Sequence, residues 1–293
     1  MLLKNYKTIL FQELTSLYDE QEIDSLFYII LEKLHGLKRI DLALKPEMVM
    51  DGTHLKRWKS ILSDLKNYKP VQYILGETEF YGLRYEVNEN TLIPRQETEE
   101  LVELIISNNH SSDSEQVKQI TKSPNQLKIL DIGTGSGCIA VSLAKNLPKA
   151  AVFAIDVSEK ALATAQKNAE NNHTNVTFLL KDILKTVDLE QQFDIIVSNP
   201  PYVRNLEKAE IKPNVLEYEP HLALFVEDTD ALLFYRKIAE LAMKNLNPNG
   251  KLYFEINQYL GKETVQLLKD SGFNNIELKK DIYGNDRMIG CEK

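Results

Sequence analysis

The chain has 293 residues, of which 43% are hydrophobic and 27% are charged, and its formal net charge is −8. This composition is typical of a globular protein, and no apolar run approaches the ~20 residues that a membrane-spanning helix needs. The acidic charge argues against a broad surface for nucleic acid. Because the first residues mix charges into a helical apolar rhythm and show no signal peptide, we expect a cytoplasmic protein that contacts no membrane.

The cysteines and histidines give no sign of a disulfide framework or a metal site. Cys138 and Cys291 are far apart in the chain, and the five histidines occur singly. Without His/Cys pairs at ligand spacing, the sequence predicts reduced thiols and no bound metal.

Residues 2–69 carry apolar side chains at spacings of three and four, as in "IDSLFYIILEKLHG" and "LKRWKSILSDLKNY". This periodicity predicts a small domain of four or five amphipathic helices. Residues 33–69 also hold nine lysines and arginines against four acids. Such a stretch is either a solvated helix face or a docking surface for an acidic partner.

A hairpin, a helix and a loop are predicted next. "TEFYGLRYEVNENTLIP", residues 78–94, alternates aromatic and β-branched residues around Gly82, which predicts a β-hairpin that links two domains. "RQETEELVELIISNN" predicts a helix, and residues 110–126 are polar enough for an exposed, mobile loop.

The remainder alternates short apolar strands with helical stretches. "LKILDIG", "AVFAIDV", "VTFLLKD", "FDIIVSNPPY" and "GKLYFEIN" read as strands, and "CIAVSLAKNL", "EKALATAQKNAENN", "ALLFYRKIAELAMKNL" and "KETVQLLKDSG" read as helices. This order predicts an α/β fold with a mostly parallel sheet and helices on both of its faces.

A glycine-rich loop follows the first of these strands. "ILDIGTGSGC" places Gly133, Gly135 and Gly137 where glycine lets the backbone turn sharply and approach a ligand. The pattern is GxGxG, not GxGxxG, and no P-loop lysine follows, so a phosphate ligand is disfavoured. Asp131, at the end of the strand, suits a cationic ligand. The alternative is a tight turn in which glycine serves packing alone.

The next two strands each end in an acid. Asp156 lies about 20 residues beyond the loop, a position that suits both ribose hydroxyls of a nucleoside. It could instead cap the following helix, although Ser158 could supply that cap. Asp182, in "KDI", could meet an adenine edge. The loop and the two acids together predict a nucleoside site.

"IIVSNPPYV" ends the fourth strand with two prolines. The residues before them are held extended, and neither proline has an N–H, so the turn offers acceptors without competing donors. The Asn199 side-chain oxygen and the Pro200 carbonyl could each accept one N–H of a planar NH2 group, while the Tyr202 ring packs against its plane. If the nucleoside is S-adenosylmethionine, its sulfonium methyl is the electrophile at which this clamp aims the nitrogen. The alternative is a rigid turn that only stops the strand.

These segments resemble a known family. "DIGTGSG", "AIDVS" and "VSNPPYV" are similar to class I S-adenosylmethionine-dependent methyltransferases that modify planar nitrogens. "QYILGETEFYGLRYEV", "TLIPRQETEELVE", "EYEPHLAL" and "DIYGNDRMI" resemble the HemK-type glutamine methyltransferases of peptide chain release factors. The resemblance implies a Rossmann-like methyltransferase fold, and methylation of the glutamine amide in the Gly-Gly-Gln motif of class I release factors.

The resemblance also implies which residues contact the substrates. Asn199, Pro200 and Tyr202 are the expected catalytic residues, and Pro201 joins them in binding the glutamine. The expected cofactor contacts are Asp131, Gly133, Thr134, Gly135, Ser136, Gly137, Asp156, Asp182, Ile183 and Asn199.

This chain departs from the family pattern at two positions. Gln96 replaces the usual proline after "IPR", and Ile183 stands where relatives often carry an aromatic residue against the adenine. Adenine packing is therefore expected to be aliphatic here. Arg95, Glu217 and Glu255 lie in family-like segments with no role assigned, and surface ion pairing is an alternative for them.

The sequence analysis predicts a helical partner-binding domain at 1–75, a linking hairpin at 76–95 and a methyltransferase domain at 96–293. The expected protein acts as a monomer on release factors and binds no nucleic acid. The alternatives are a glutamine methyltransferase of a ribosomal protein, an adenine-N6 methyltransferase of nucleic acid, and a nucleoside-binding module without catalysis.

Overall fold

A computed structural model describes residues 1–110 and 126–293. The loop predicted at 110–126 therefore lies almost entirely outside the described residues. The chain forms two compact units, Met1–Gly76 with Lys212–Tyr218, and Glu77–Ile211 with Glu219–Lys293. None of the helices in the described ranges combines the length and the apolar content that crossing a membrane requires.

The N-terminal unit is helical, as predicted. Its first 76 residues form α1 (Leu3–Leu14), α2 (Glu20–His35), α3 (Arg39–Leu44), α4 (Gly52–Lys66) and α5 (Val71–Leu75). Asp19 and Asp51 begin α2 and α4 by accepting the N–H groups of Glu22 and His54, both at 2.8 Å. These caps satisfy backbone donors that have no partner inside a helix.

An aromatic cluster fills the core of this unit. The fully buried Trp58 stacks on Phe27 with ring centroids 5.3 Å apart and tilts against Tyr6 at 5.2 Å. The Trp58 Nε1 donates to His35 Nε2 at 3.0 Å, which satisfies the one polar atom of the indole. The segment Lys212–Tyr218 completes the unit, since the Tyr218 hydroxyl donates to the Asn67 carbonyl at 2.7 Å.

Some basic residues of the stretch at 33–69 make ion pairs or hydrogen bonds within this unit. Arg39 pairs with Asp24, and Arg57 donates to the Ile74 carbonyl at 2.9 Å. The remaining basic side chains include three exposed lysines, Lys45, Lys56 and Lys59. These lysines lie on the surface, as a solvated face and a docking surface both require.

The larger unit contains all the strands of the described residues. They are β1 (Glu77–Phe80), β2 (Leu83–Glu86), β3 (Lys128–Ile132), β4 (Ala151–Asp156), β5 (Val176–Leu180), β6 (Phe193–Ser198), β7 (Val203–Arg204), β8 (Phe225–Val226), β9 (Leu246–Glu255), β10 (Asn274–Lys280) and β11 (Asp286–Glu292). The further α-helices of the described residues are α6 (Gln96–His110), α7 (Cys138–Asn146), α8 (Glu159–Asn171), α9 (Pro213–Tyr218, in the N-terminal unit), α10 (His221–Leu224), α11 (Leu233–Asn245) and α12 (Gly261–Asp270).

Seven strands form one sheet in the order β10-β11-β9-β6-β3-β4-β5. The five strands from β9 to β5 are parallel, whereas β11 runs antiparallel to both of its neighbours. The predicted mostly parallel α/β sheet is confirmed. The pairing of β10 with β11 was not predicted, because most residues of β10 are polar or only half-buried and carry no apolar run.

Alternate residues of the central strands enter cores on opposite faces of the sheet. Ile129 and Ile195 belong to the cluster that contains α6 and α7, whereas Leu130 and Ile196 belong to the cluster that contains α11. Side chains of a strand point alternately to its two faces, so both faces are covered by helices.

The hairpin β1–β2 is fastened to the larger unit. Tyr81 and Gly82 turn it with positive φ values of 48° and 70°. The buried Tyr85 hydroxyl lies 2.8 Å from Ser142 Oγ on α7, and Asn168 of α8 bonds both backbone groups of Glu86. The hairpin is therefore hydrogen-bonded to both α7 and α8.

Candidate active site

Four strand ends meet at one edge of the sheet, and each carries a candidate residue. The strands β6, β3, β4 and β5 are neighbours in this order and run parallel. Asn199 follows β6, Gly133 follows β3, Asp156 ends β4 and Asp182 lies just beyond β5. In open α/β sheets this edge, outside the carboxyl ends of the strands, is where ligands bind.

The glycines of the loop after β3 differ in their surroundings. A Cβ built on Gly133 or Gly135 meets nothing within 4 Å, so the backbone there borders open space. A Cβ on Gly137 lies 3.0 Å from the Ala165 Cβ on α8. Gly137 therefore allows α7 and α8 to pack closely, whereas Gly133 and Gly135 leave room for a ligand.

The polar side chains of this loop point into the protein. Thr134 and Ser136 are 5% and 2% exposed. The Thr134 hydroxyl donates to Asp131 Oδ2 at 2.6 Å. A ligand above the loop can therefore contact these two residues mainly through their backbone.

Asp131 is a fully buried carboxylate with one oxygen left over. Its Oδ1 has no hydrogen-bond partner among the described residues. Burial raises the pKa of Asp131 to about 7, although the Thr134 hydroxyl and the nearby Ala140 N–H act in the opposite direction. A buried acceptor without a donor costs free energy, so this oxygen fits a cationic or N–H-bearing ligand group.

Asp156 holds the glycine loop in place. Its Oδ2 accepts the Gly135 N–H and its Oδ1 accepts the Ser158 N–H, both at 2.8 Å. Burial raises its pKa, and these backbone N–H groups oppose that shift. The cap of α8 is supplied by Ser158, whose Oγ accepts the Ala161 N–H at 3.2 Å. Each carboxylate oxygen of Asp156 retains a lone pair with which it can accept a ribose hydroxyl.

Asp182 and Ile183 lie beyond β5. Asp182 accepts the Leu184 N–H at 3.0 Å and pairs with Lys185, whose ammonium lowers its pKa. Ile183 is half-buried and packs against the core cluster on the α11 face of the sheet. The pair thus offers a carboxylate and an aliphatic surface at the same strand end.

The turn after β6 is tied to the glycine loop. The Ser198 Oγ donates to the Ile132 carbonyl at 2.7 Å, which joins the last residues of β6 and β3. Pro200 is buried and Asn199 is half-buried. Among the described residues, no hydrogen bond is donated to Asn199 Oδ1 or to the Pro200 carbonyl. Both acceptors predicted for the clamp are therefore available to a substrate.

Pro201 and Tyr202 carry the chain from this turn into β7. Both are half-buried, and the Tyr202 carbonyl accepts Asn257 Nδ2 at 3.0 Å. The Tyr202 hydroxyl donates to Glu255 Oε1 at 2.9 Å, and burial raises its pKa well above 10. Tyr202 is thus anchored as a neutral phenol, with its hydroxyl directed away from solvent.

Sequence reasoning missed Thr98 and assigned no role to Glu255. Glu255, at the end of β9, is 1% exposed and accepts the Thr98 hydroxyl at 2.6 Å. The Thr98 Oγ1 in turn accepts Asn199 Nδ2 at 3.3 Å. Thr98 lies in "PRQETEE", which the sequence analysis used only for the start of a helix.

A second buried carboxylate near the site is Glu219. It accepts the Ile93 N–H at 3.0 Å and pairs with Arg95, and its side chain is 1% exposed. Glu217, the acid singled out in "EYEPHLAL", is exposed instead. The proline after Glu219 restricts the backbone of this residue, but it does not indicate that its side chain is buried.

Two family models match the sequence. The description of the first is "Methyltransferase small domain", over residues 115–218, and that of the second is "PrmC N-terminal domain", over residues 10–76. Among the described residues no group of three His, Cys, Asp or Glu side chains could hold a metal ion.

Curated relatives match almost the whole chain. A release factor glutamine methyltransferase of Flavobacterium psychrophilum is 67% identical over 289 residues, which cover 99% of this chain and 98% of the relative. The chain belongs to the release factor glutamine methyltransferase family. The member of this family from Bacteroides thetaiotaomicron is 42% identical and covers 96% of the chain and 97% of its own length. The resemblance identified from the motifs is confirmed, and the chain is a methyltransferase.

A solved structure supports the fold alone. The 16S rRNA N2 G1207 methyltransferase of T. Thermophilus, in complex with AdoMet and guanosine, matches with a TM-score of 0.50 at 20% identity. The match covers 74% of the present chain and 49% of the chain of the rRNA methyltransferase. The sheet therefore has the methyltransferase fold that the sequence predicted.

Proposed function

We propose that this chain transfers a methyl group from S-adenosylmethionine to the side-chain amide nitrogen of the glutamine in the Gly-Gly-Gln motif of class I peptide chain release factors. The observation that carries the proposal is the pair of acceptors at the end of β6. Asn199 Oδ1 and the Pro200 carbonyl receive no hydrogen bond from the described residues and lie beside the glycine loop. A primary amide has two N–H groups to match them.

The cofactor is held by the edge formed by β3, β4 and β5. The Asp131 Oδ1 without a partner suits the ammonium end of S-adenosylmethionine, and the open backbone at Gly133 and Gly135 accommodates its chain. Asp156 accepts the ribose hydroxyls, while Asp182 and Ile183 border the adenine. When bound, the cofactor supplies a methyl group on a positively charged sulfur. Thr134, Ser136 and Gly137 contribute backbone groups to the cofactor site and no charged side chain.

The clamp makes a poor nucleophile reactive by positioning it. The amide lone pair is delocalised, so the contribution of Asn199 and Pro200 is to fix both N–H groups and direct the nitrogen at one point. Well-oriented reactants can gain on the order of 7–11 kcal/mol from proximity. With the cofactor bound, the N–C bond would form as the S–CH3 bond breaks, which leaves S-adenosylhomocysteine. The nitrogen would then release its proton to water, so no side chain has to act as a base before attack. Pro201 keeps the turn rigid, and Tyr202 packs against the amide plane.

The substrate in this proposal is a protein, which the chain meets as a monomer in the cytoplasm. The net charge of −8 supports a protein in preference to a nucleic acid. Purified chain and tritiated S-adenosylmethionine are incubated in turn with a release factor, a ribosomal protein substrate and DNA. Label in the Gly-Gly-Gln peptide of the release factor is expected. Label only in the ribosomal protein or only in DNA would replace the proposed substrate.

Asn199→Ala tests the role of the clamp. We expect kcat to fall by about 10²–10³-fold, the range for a lost transition-state hydrogen bond, while the Kd for S-adenosylmethionine changes little. Asn171→Ala is the matched control, because Asn171 is exposed on α8 and far along the chain from the turn. Turnover of Asn199→Ala at the rate of the control would contradict the assigned role.

A further inference from the structure

The Asn199 amide has two orientations that differ by a flip, and only one of them presents an oxygen to the substrate. If its NH2 group faced the glutamine instead, donors would oppose donors and the clamp would be lost. The outcome depends on what Asn199 contacts on its other side. That contact is Thr98 Oγ1, at 3.3 Å from Nδ2.

Counting hydrogens in the network assigns the flip. Ionised Glu255 only accepts hydrogen bonds, and it receives the Thr98 hydroxyl at Oε2 (2.6 Å) and the Tyr202 hydroxyl at Oε1 (2.9 Å). A hydroxyl has a single hydrogen, so Thr98 offers only lone pairs to Asn199. Only the NH2 group can pair with them, and Asn199 Oδ1 must point away from Thr98. The assignment follows from the donors and acceptors of this network with Glu255 ionised.

We propose that Thr98 and Glu255 are positioning residues, which fix the orientation of the Asn199 amide so that its oxygen faces the substrate glutamine. The inference rests on the proposed function, since it assigns a role within the same clamp. Tyr202 belongs to the network as the second donor that occupies Glu255. Its hydroxyl leaves Oε2 as the oxygen that takes the Thr98 hydrogen.

The ionised form of Glu255 is essential to this arrangement. A neutral carboxyl would donate to one of the hydroxyls, and the released Thr98 hydrogen could then face Asn199 Oδ1. Burial raises the pKa of Glu255, and the hydroxyls of Thr98 and Tyr202 oppose that shift. The other titratable groups that act on it or lie beside it come from several elements: Arg287 of β11, which favours the ionised form, Glu97 of α6, which disfavours it, Cys138 of α7 and Tyr235 of α11.

The first test replaces the Thr98 hydroxyl by a methyl group of the same shape. In Thr98→Val nothing selects the Asn199 flip, so we expect kcat for methylation of the release factor to fall about tenfold. The KM for S-adenosylmethionine should stay within about threefold, because the hydrogen bonds that link Thr98, Glu255, Tyr202 and Asn199 do not involve the glycine loop. Thr98→Ser keeps the hydroxyl and should restore most of kcat.

The matched control is Thr264→Val. Thr264, on α12, is also fully buried, and its hydroxyl donates to the carbonyl of Leu260, the residue that precedes this helix, at 2.8 Å. This variant should lose stability, as Thr98→Val does, without losing kcat. If Thr98→Val lost stability like the control and kept its kcat, Thr98 would be structural only and the inference would be wrong.

Glu255→Gln provides a second route to the same result. In the orientation that keeps the Tyr202 hydrogen bond on its oxygen, the glutamine NH2 group donates to Thr98 Oγ1 and frees the Thr98 hydrogen. We expect a loss in kcat similar to that of Thr98→Val, and a double variant no worse than about the larger single loss, because both changes release the same flip. Losses that multiply would overturn the inference.

The wild-type chain separates the two levels of the proposal. Wild-type transfer to the release factor together with a fully active Thr98→Val would refute the positioning role and leave the proposed function intact. Absence of wild-type transfer to the release factor would overturn the proposed function and the positioning role with it.

Discussion

Two buried carboxylates lie at opposite sides of the same edge of the sheet, and they are bonded differently. Glu255, the last residue of β9, accepts a hydroxyl on each oxygen. Asp131, near the end of β3, has the Thr134 hydroxyl on one oxygen, and its other oxygen has no hydrogen-bond partner in the part of the chain that the structure describes. The described residues donate a hydrogen bond to each oxygen of Glu255, but to only one oxygen of Asp131.

This difference distinguishes two regions. The positioning region, around Glu255, orients side chains, and the receiving region, around Asp131, leaves an acceptor for a ligand. A fully bonded buried network has one low-energy arrangement and therefore orients the side chains that touch it. A buried acceptor without a donor is costly in the free protein, and a ligand that supplies the donor recovers that cost. In the proposed function, the substrate side of the edge is therefore preorganised, and we expect the cofactor side to gain stability when S-adenosylmethionine binds.

The largest effect is expected at Glu219, which like Glu255 is fully bonded by the protein. Glu219→Ala leaves the Ile93 N–H and the Arg95 guanidinium without their acceptor, and we expect a loss of about 3 kcal/mol in the free energy of unfolding. Urea unfolding of the ligand-free chain measures it. Glu217→Ala is the control, because Glu217 is exposed and should leave the midpoint unchanged. Equal midpoints for both variants would show that bonding at Glu219 adds no stability.

Asp131→Asn should raise the free energy of unfolding of the ligand-free protein, whereas Glu219→Ala should lower it. Because its pKa is raised to about 7, the folded chain holds a proton at Asp131 that the unfolded chain releases between about pH 4 and 7. Stability therefore falls as pH rises through this window and levels off above it. Asparagine does not ionise, so Asp131→Asn should lose no stability across this window and should be more stable than the wild type at pH 8.

The same variant should bind S-adenosylmethionine at least about tenfold more weakly, since the charged acceptor is gone. Thermal unfolding at pH 5 and pH 8, with and without the cofactor, measures both effects. The idea of a receiving carboxylate fails if Asp131→Asn is as well stabilised by the cofactor as the wild type.

The receiving region could be predicted from sequence, and the positioning region could not. Gly133 directly follows an apolar strand and Asp156 ends one, so short motifs reveal them. Thr98 and Glu255 are 157 positions apart, and neither has a local pattern that points to the other. Their pairing exists only because the start of α6 packs beside the end of β9. Hydrogen-bond direction, which decides the Asn199 flip, has no signature in residue order.

The smallest effect distinguishes two glycines of the same loop. Both have positive φ, 73° at Gly133 and 81° at Gly137, so alanine is strained at either position. Only at Gly137 does the new Cβ come within 3.0 Å of Ala165, and α8 must shift to admit it.

Gly137→Ala should therefore be about 1 kcal/mol less stable than Gly133→Ala in the ligand-free state. Gly133→Ala should show the larger loss in affinity for S-adenosylmethionine by calorimetry, because its Cβ points into open space that the cofactor needs. A packing role for the whole loop predicts instead that the two variants lose equal stability and that neither changes cofactor affinity. The two variants thus test whether different glycines of one loop make room for a ligand and allow a helix to pack.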